Sequence, residues 1–412
     1  MALSMGILLY IDPGTGSMLF AMFIGIVSTV IYCLRGIFIT FKFRLTGGTK
    51  MEHDKNKLPL VIYSDHKRYW SIFEPVCDEL DRRGQKVVYM TQSPDDPGLS
   101  KGYKHIEGRF IGEGNKGLAK MNLLNASMVL STTPGLDVLQ WKRSKQVEYY
   151  VHMFHGASGG ATYHMFGLDH YDAVLLSGEH QEHQIRKLEQ LRGYPVKEVY
   201  YIGIPYMDVM KKRYEALKHV QGEKKTILLA PSWGENGILT KYGSSLIDEL
   251  LKTDYEIVIR PHPQSFTAEK EMIEGLQRKY PDVKWNRDSD NFDILSRSDL
   301  LISDFSGVIM EYAMVFERPV LYTSIEFDDS KYDCAWMDGE VWLLKNIPNL
   351  GMELKKEDIP NVGEMIETAL SSRQVRERLD KVIKETWMYR GEGTQRAADY
   401  IMDKLKSLEE IS

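Results

Sequence analysis

Short apolar runs alternate with amphipathic stretches along the chain from residue 58, and this alternation limits the fold more than any other feature. We predict strands over 60–64, 86–91, 127–132, 148–154, 172–177, 198–202, 226–230, 256–259, 283–286, 300–303 and 319–323. Between them, helices are predicted over 69–83, 116–125, 179–191, 244–252, 266–279 and 307–316. This order is typical of strand–helix–strand units and parallel sheets, so the fold class is α/β.

The length of 412 residues is too great for one ordinary domain and fits two α/β domains. The polar stretch 211–225 marks the boundary between them. We therefore predict a first Rossmann-like domain over 58–220, a second over 221–385 and a C-terminal helix over 386–412. Two facing domains of this kind are used by many transferases that act on nucleotide diphosphates.

The amino terminus differs from the rest, because residues 17–41 are almost wholly apolar with Arg35 as their one charge. Such a run is long enough to span a bilayer, which we prefer to a signal peptide or a buried core helix. Basic residues follow the run and none precedes it, so the positive-inside rule puts the following domains in the cytoplasm. We predict a transmembrane segment within 1–45, a linker over 46–57 and a single-pass cell-membrane protein.

Composition excludes several classes of function. The net charge of −6 gives no signal for nucleic-acid binding. The three cysteines are far apart, so neither a disulfide framework nor a metal site follows from them. His180 and His183 are three residues apart on a predicted helix, but an exposed polar face explains them better than a metal pair. No metal and no cofactor are predicted.

The strand over 300–303 ends in polar residues and leads into a helix. The dipole and free amides of a helix start favour an anion, and a carboxylate one turn later suits ribose hydroxyls. An N-capped helix after a buried strand is the plainer interpretation of this segment taken alone. The candidate nucleotide-binding residues here are Ser303, Asp304, Ser306, Gly307 and Glu311.

Two further strands are predicted to deliver polar residues to the same edge. Arg260 and His262 follow the strand over 256–259 in a turn that Pro261 and Pro263 stiffen. Ser232 and Trp233 follow the strand over 226–230. Ligands of open α/β sheets bind at this carboxyl edge. We therefore predict a pyrophosphate site for a nucleotide diphosphate.

The first sheet supplies His155 at the end of a strand, before a glycine-rich turn. Gly156, Ser158 and Gly159 in that turn are candidates for an acceptor or phosphate loop. A histidine is well matched to removing a proton near neutral pH. A histidine bonded only to backbone is the competing interpretation, and the glycines favour catalysis slightly.

Taken in order, these motifs resemble the CDP-glycerol glycerophosphotransferase family, which builds teichoic acid chains. The resemblance covers roughly residues 145–405 and rests on five short motifs: His155-Gly156, Pro231-Ser-Trp233, Arg260-Pro-His-Pro263, Ser303-Asp304-Phe-Ser306 with Glu311, and Tyr389 to Arg396. It implies the two-domain GT-B fold and a CDP-alcohol donor. The family usually continues its His-Gly with Thr-Pro and a lysine, whereas this chain has residues 157–160 as Ala-Ser-Gly-Gly.

The function predicted from this resemblance is transfer of an alcohol phosphate from a CDP-alcohol to a hydroxyl of a lipid-linked or polymer acceptor. His155 would be the general base, with His262 the second catalytic candidate. The alternatives are a GT-B glycosyltransferase that uses a UDP- or GDP-sugar and a non-catalytic, membrane-anchored binding protein. A sugar-nucleotide 2-epimerase ranks behind the glycosyltransferase, because it needs no membrane span.

Overall fold

The computed structural model describes residues 57–217, 224–288, 290–304, 306–324, 328, 330–337 and 341–411. The predicted transmembrane segment and nearly all of the linker after it lie outside these residues. Among the residues described, no helix combines the length and the apolar character that crossing a bilayer requires.

The first sheet, sheet one, consists of seven parallel strands in the spatial order β3-β2-β1-β4-β5-β6-β7. Its strands are β1 (Leu58–Ser64), β2 (Val87–Thr91), β3 (Ile106–Phe110), β4 (Asn125–Ser131), β5 (Gln146–Met153), β6 (Ala173–Leu176) and β7 (Glu198–Tyr201). In the sheet centre, Ile62 pairs with Tyr89 on one side and Leu130 on the other. These residues are fully buried, which explains why the central strands appear in the sequence as continuous apolar runs.

The second sheet, sheet two, consists of six parallel strands in the order β10-β9-β8-β11-β12-β13. They are β8 (Thr226–Leu229), β9 (Glu256–Ile259), β10 (Lys284–Trp285), β11 (Leu300–Ser303), β12 (Val320–Tyr322) and β13 (Gly351–Glu353). The order reverses between β8 and β11, as it does between β1 and β4 in sheet one. The predicted α/β class with parallel sheets is confirmed.

Helices connect the strands of both sheets. Those of the first part are α1 (Trp70–Arg82), α2 (Asn115–Met121), α3 (Glu179–Arg192) and α4 (Pro205–Glu215). Those of the second part are α5 (Ile238–Lys241), α6 (Gly243–Leu250), α7 (Ser265–Ala268), α8 (Lys270–Lys279), α9 (Phe292–Arg297), α10 (Val308–Phe316), α11 (Trp342–Leu350), α12 (Val362–Ser371), α13 (Arg373–Thr386) and α14 (Gly393–Ile411).

The last helix, α14, returns from sheet two and packs on α1 and α4 beside sheet one. Asp208 of α4 holds the turn that precedes α14. Its carboxylate accepts hydrogen bonds from the amides of Gly391 at 2.7 Å and Gly393 at 2.9 Å, and from the indole of Trp387 at 3.1 Å. The motif over 389–396 therefore joins the C-terminal helix to the first part of the chain.

Candidate functional site

The polar residues that end β11 face inward. Ser303 is fully buried, and its hydroxyl donates to the Ala230 carbonyl at 2.6 Å. Asp304 is also fully buried, and its carboxylate accepts from the amides of Ser232 at 2.8 Å and Ile238 at 3.3 Å. Both side chains thus fix the loop after β8, whereas the sequence analysis predicts that they bind the ligand.

That loop presents Ser232 and Trp233 at the edge of sheet two. Trp233 is 47% exposed, an unusual exposure for so large an apolar side chain. The loop is also held from its far side, because the amide of Gly234 donates to the Glu269 carboxylate at 2.9 Å. A rigid backbone with a protruding indole ring offers a flat surface on which a base or sugar ring can stack.

The start of α10 is open to solvent. Gly307, the residue before the helix, is exposed and has no atom near the position of a missing Cβ. The Ser306 carbonyl accepts from the amide of Ile309 at 3.1 Å, while the side chain of Ser306 is half-buried. The amide of Met310 likewise donates to the Gly307 carbonyl at 3.1 Å. The amides of Gly307 and Val308 have no hydrogen-bond acceptor among the described residues, so they are available beside the loop of Ser232 at the start of a nine-residue helix, a favourable position for an anion.

Glu311, one turn into α10, faces sheet one. The Tyr206 hydroxyl donates to its carboxylate at 3.5 Å. Burial raises the pKa of Glu311, although its hydrogen bonds with Asn291 and Tyr206 oppose this rise. Glu311 therefore lies where α10 packs on α4, the helix that follows β7 of sheet one.

Arg260 follows β9, but its guanidinium is directed to the segment after β10. It donates to the Asn286 side chain and, at 2.8 Å, to the Asp288 carbonyl. Burial lowers its pKa, and the nearby Asp288 and Asp290 oppose that shift. In this structure the predicted phosphate-binding arginine is bonded to protein groups on the neighbouring strand end.

His262 is exposed, and its Nδ1 accepts a hydrogen bond from the amide of Gln264 at 3.1 Å. Desolvation lowers its pKa, although Asp304 and Glu269 oppose the change. A neutral ring that accepts at Nδ1 carries its proton on Nε2. His262 is thus arranged to donate a hydrogen bond to an anion, which differs from the arrangement of a free base.

These groups collect where the strand order of sheet two reverses, between β8 and β11. In open α/β sheets the carboxyl edge at such a reversal is where ligands bind. This position has the Ser232 loop and the start of α10, and His262 follows the adjacent strand β9. The topology therefore explains why motifs 70 residues apart in sequence meet at one place.

His155 lies at the carboxyl edge of sheet one, two residues after β5. The ring of Tyr69 lies 5.3 Å from its ring, and that of Tyr163 lies 5.8 Å away, measured between centroids. Burial lowers the pKa of His155, whereas the Thr132 carbonyl and the Asp65 carboxylate oppose this shift. His155 is therefore neutral at physiological pH, which a general base must be.

A second, buried histidine is connected to His155 through one hydroxyl. Tyr163 Oη lies 3.3 Å from Nδ1 of His155 and 3.1 Å from Nε2 of His152. His152 is fully buried among aromatic rings, and burial holds its pKa well below the ordinary value. The sequence analysis missed this His152–Tyr163–His155 chain, because an eight-residue separation along a loop carries no periodic signal.

The glycine-rich turn after His155 contains two different kinds of glycine. Gly156 has open space where a Cβ would be, so a ligand has room there. Gly159 is closed: a Cβ would lie 1.8 Å from Oε1 of Gln184 on α3. The Ser158 carbonyl accepts from the side chain of Gln181 at 3.2 Å. The packing of α3 against this turn therefore explains why a glycine is needed at position 159, and no ligand has to be invoked.

Segments that leave the two carboxyl edges contact each other. Tyr206, after β7, reaches Glu311, and His164 forms a bridge with Tyr332. Asp333 accepts hydrogen bonds from the amides of Phe166 at 2.7 Å and Gly167 at 3.2 Å. The edge that carries His155 and the edge that carries the α10 start are therefore adjacent.

Arg192 strengthens this contact from within. It is buried, pairs with Asp169 at 2.8 Å and Asp333 at 2.5 Å, and lies between the rings of Phe166 and Trp336. Breaking a buried pair on one side leaves an uncompensated charge, so this link is costly to open. It fixes the segment over 330–337 to the first part of the chain.

Among the residues that the structure describes, no group of three or more histidine, cysteine or acidic side chains could hold a metal ion. His180 is engaged otherwise: its Nε2 contacts the Ala157 carbonyl at 2.9 Å and its ring stacks on Trp342.

Comparison with known proteins gives a family for this arrangement. The profile of the family described as CDP-Glycerol:Poly(glycerophosphate) glycerophosphotransferase matches residues 123–340, which is more than half of the chain. The predicted family is thereby confirmed.

Curated relatives agree with this match. A teichoic acid glycerol-phosphate primase from Bacillus spizizenii is 25% identical over 171 residues, which cover 38% of this chain and 41% of the primase. The teichoic acid ribitol-phosphate polymerase TarK from Staphylococcus aureus is 30% identical over 150 residues, 31% of this chain and 27% of TarK. The chain thus matches less than half of the length of either relative.

Solved structures show the same fold. The wall teichoic acid polymerase TagF matches with a TM-score of 0.56 at 16% identity, over 87% of this chain and 92% of that one. A putative UDP-N-acetylglucosamine 2-epimerase from Listeria monocytogenes matches with a TM-score of 0.55 at 14% identity, over 87% and 98%. Because polymerase and epimerase match equally well, the fold by itself does not choose between these activities.

Proposed function

This chain belongs to the CDP-glycerol:poly(glycerophosphate) glycerophosphotransferase family, and on that premise we propose that it transfers an alcohol phosphate from a CDP-alcohol. The acceptor is a hydroxyl of a lipid-linked or polymer chain in cell-envelope polymer synthesis. One observation supports this above the others: the carboxyl edge of sheet two carries an open helix start, and the carboxyl edge of sheet one carries a histidine enclosed by aromatic rings.

The donor binds at the carboxyl edge of sheet two, within the domain over 221–385. The amides of Gly307 and Val308 at the start of α10 and the Nε2 proton of His262 donate to the pyrophosphate. Trp233 supplies a stacking surface, and Glu311 accepts from the ribose hydroxyls. Arg260 reaches the phosphates by exchanging its present bonds to Asn286 and Asp288 for bonds to the ligand. Ser303 and Asp304 act indirectly, by fixing the loop of Ser232.

The acceptor binds beside His155, within the domain over 58–220, where Gly156 leaves room for it. His155 carries its proton on Nδ1, from which it donates a hydrogen bond to Tyr163 Oη, and its Nε2 acts as the base. The acceptor oxygen attacks the phosphorus that carries the alcohol, its proton passes to His155 Nε2, and the bond to CMP breaks. Positioning and electrostatic stabilisation then account for most of the acceleration.

The chain acts at the cytoplasmic side of the cell membrane. The apolar run over 17–41 and the basic residues after it support a single span with the following domains in the cytoplasm. A reporter fused after Lys57 should be active only in the cytoplasm. A reporter that is active on the outer side would reject this orientation, and release of the protein by alkaline carbonate would reject the span.

The decisive experiment is a donor panel with the full-length protein in detergent and a glycerol phosphate oligomer as acceptor. We expect CMP release from CDP-glycerol or CDP-ribitol that depends on the acceptor. Release of UDP or GDP from a sugar nucleotide would establish a glycosyltransferase instead. Saturable CDP-alcohol binding without CMP release would support the non-catalytic function, for which the changed residues 157–160 are the best argument.

A further inference from the structure

The amino ends of the strands of sheet one form a second edge, separate from the candidate site. Because all seven strands are parallel, their amino ends share one edge, opposite the edge that carries His155. The chain enters the sheet here, since the central strand β1 begins at Leu58. We call this surface, made of the residues that precede the strands of sheet one, the amino edge.

The amino edge carries the most exposed large apolar side chains of the described residues. Leu139 is 78% exposed, Val196 75% and Leu123 58%. Leu123 and Val196 each lie two residues before a strand, β4 and β7. Leu139 belongs to the loop before β5, and Asn122 ties that loop to the end of α2 through bonds to Gln140 and Lys142. One exposed leucine is ordinary, but three such residues on one edge indicate a contact surface.

Free positive charge surrounds these residues. Four exposed lysines lie within five residues before a strand of sheet one: Lys86, Lys104, Lys120 and Lys145. None of them pairs with an acid within the described part of the chain. Acids at the same edge are already neutralised, since Glu148 pairs with Lys57 and Asp172 pairs with Arg143. The edge is therefore locally basic, although the whole chain carries −6.

Apolar side chains among unpaired lysines match an anionic lipid surface, where the apolar groups enter the headgroup region and the amines meet phosphates. We propose that the amino edge of sheet one lies against the anionic cytoplasmic face of the membrane. This inference rests on the proposed membrane anchor only in part. The chain between residue 41 and Leu58 can extend to roughly 50 Å, so a span does not itself decide which face of the protein meets the lipid.

The test uses the full-length protein with Cys33→Ser, reconstituted in vesicles of phosphatidylcholine and phosphatidylglycerol. Cys77 and Cys334 are buried, so a single fluorophore can be placed by Leu139→Cys. The matched control is Val209→Cys on α4, which is 49% exposed and away from the amino edge. A quencher attached to the lipid headgroups should quench the label at 139 strongly and the label at 209 weakly.

Charge is tested separately with Lys86, Lys120 and Lys145 changed together to glutamine. Each neutralised lysine should lower the docked-to-undocked ratio about fivefold, so quenching at 139 should fall clearly. The same change at Lys270, Lys381 and Lys384 is the control and should leave quenching unaltered. In vesicles of phosphatidylcholine alone, the protein with its lysines intact should show the same fall in quenching at 139.

The outcomes separate this inference from the membrane span. Protein that does not sediment with the vesicles would reject the span. Protein that sediments but shows equal quenching at 139 and 209, or quenching that ignores phosphatidylglycerol, would overturn the docking of the amino edge and leave the proposed transferase activity untouched.

Discussion

The carboxyl edges of the two sheets have the same topology and opposite environments. On sheet two, the polar side chains Ser303, Asp304 and Arg260 are engaged in protein bonds, while backbone amides, Trp233 and His262 remain open. On sheet one, His155 is enclosed by aromatic rings and held through Tyr163. The first environment suits binding of a charged group, and the second keeps a histidine neutral. The same strand order can therefore serve binding or proton transfer, according to what surrounds the strand ends.

Among the variants that test this difference between the two edges, we expect the largest effect on turnover from a change at His155. His155→Ala should lower turnover by about 10²–10⁴-fold, because a positioned base is lost. Donor affinity should change by only about a few-fold, since the phosphates are held by sheet two. Single-turnover rates and equilibrium binding of the CDP-alcohol measure the two effects. Normal turnover would reject His155 as the general base, and lost donor affinity without a separate loss of turnover would make His155 a phosphate ligand.

A change on the other edge should produce the opposite pattern. Arg260→Ala should weaken donor binding by roughly ten- to a hundredfold, because a charge-assisted bond is worth about 1.5–3 kcal/mol. Asn286→Ala is the matched control, since it removes the present partner of Arg260 and keeps the cation. Titration calorimetry with the donor checks both. Equal affinity in wild type and Arg260→Ala would move the phosphate site elsewhere.

Tyr163→Phe sharpens the comparison by removing only the hydroxyl between the two histidines. Turnover should fall about tenfold with unchanged donor affinity. In the wild type, activity is lost as pH falls through the pKa of His155, which burial puts below the ordinary value of about 6.5. Loss of the Tyr163 oxygen removes a partner for the protonated ring, so this acidic limb should move to lower pH. A rate loss without any movement of the limb would indicate a purely structural role.

The smallest effects should come from a pair of glycines. Gly307→Ala adds a methyl group into open space at a backbone φ of −56°, so the free energy of unfolding should change by less than about 0.5 kcal/mol. Gly159→Ala meets Gln184 and should destabilise the protein by about 1–3 kcal/mol. Thermal unfolding of both variants measures the difference. Equal stability would mean that Gln184 can move aside.

Much of the fold could be predicted, because buried parallel strands leave continuous apolar runs. The two strands that were missed, β3 and β13, lie at the outer edges of their sheets. β3 contains the surface pair Glu107 and Arg109, and β13 has three residues, so neither leaves such a run.

The site was predictable in position and less so in role. The positions of the strand ends were enough to predict which loops meet, since parallel strands deliver their carboxyl ends to one edge. That Asp304 binds the amide of Ser232, 72 residues away, depends on tertiary packing that no local pattern encodes. The same holds for Arg260 and Asn286.

The single direction of the strands in sheet one also sets a length scale for the reaction. Ten residues separate Lys145 on the amino edge from His155, and at about 3.3 Å per residue they extend for roughly 30 Å. If the amino edge rests on the bilayer, the base works that far above the lipid headgroups. A sugar attached directly to a membrane lipid falls short of this height, whereas the free end of a longer chain reaches it. The sheet then acts as a ruler that admits acceptors by their length.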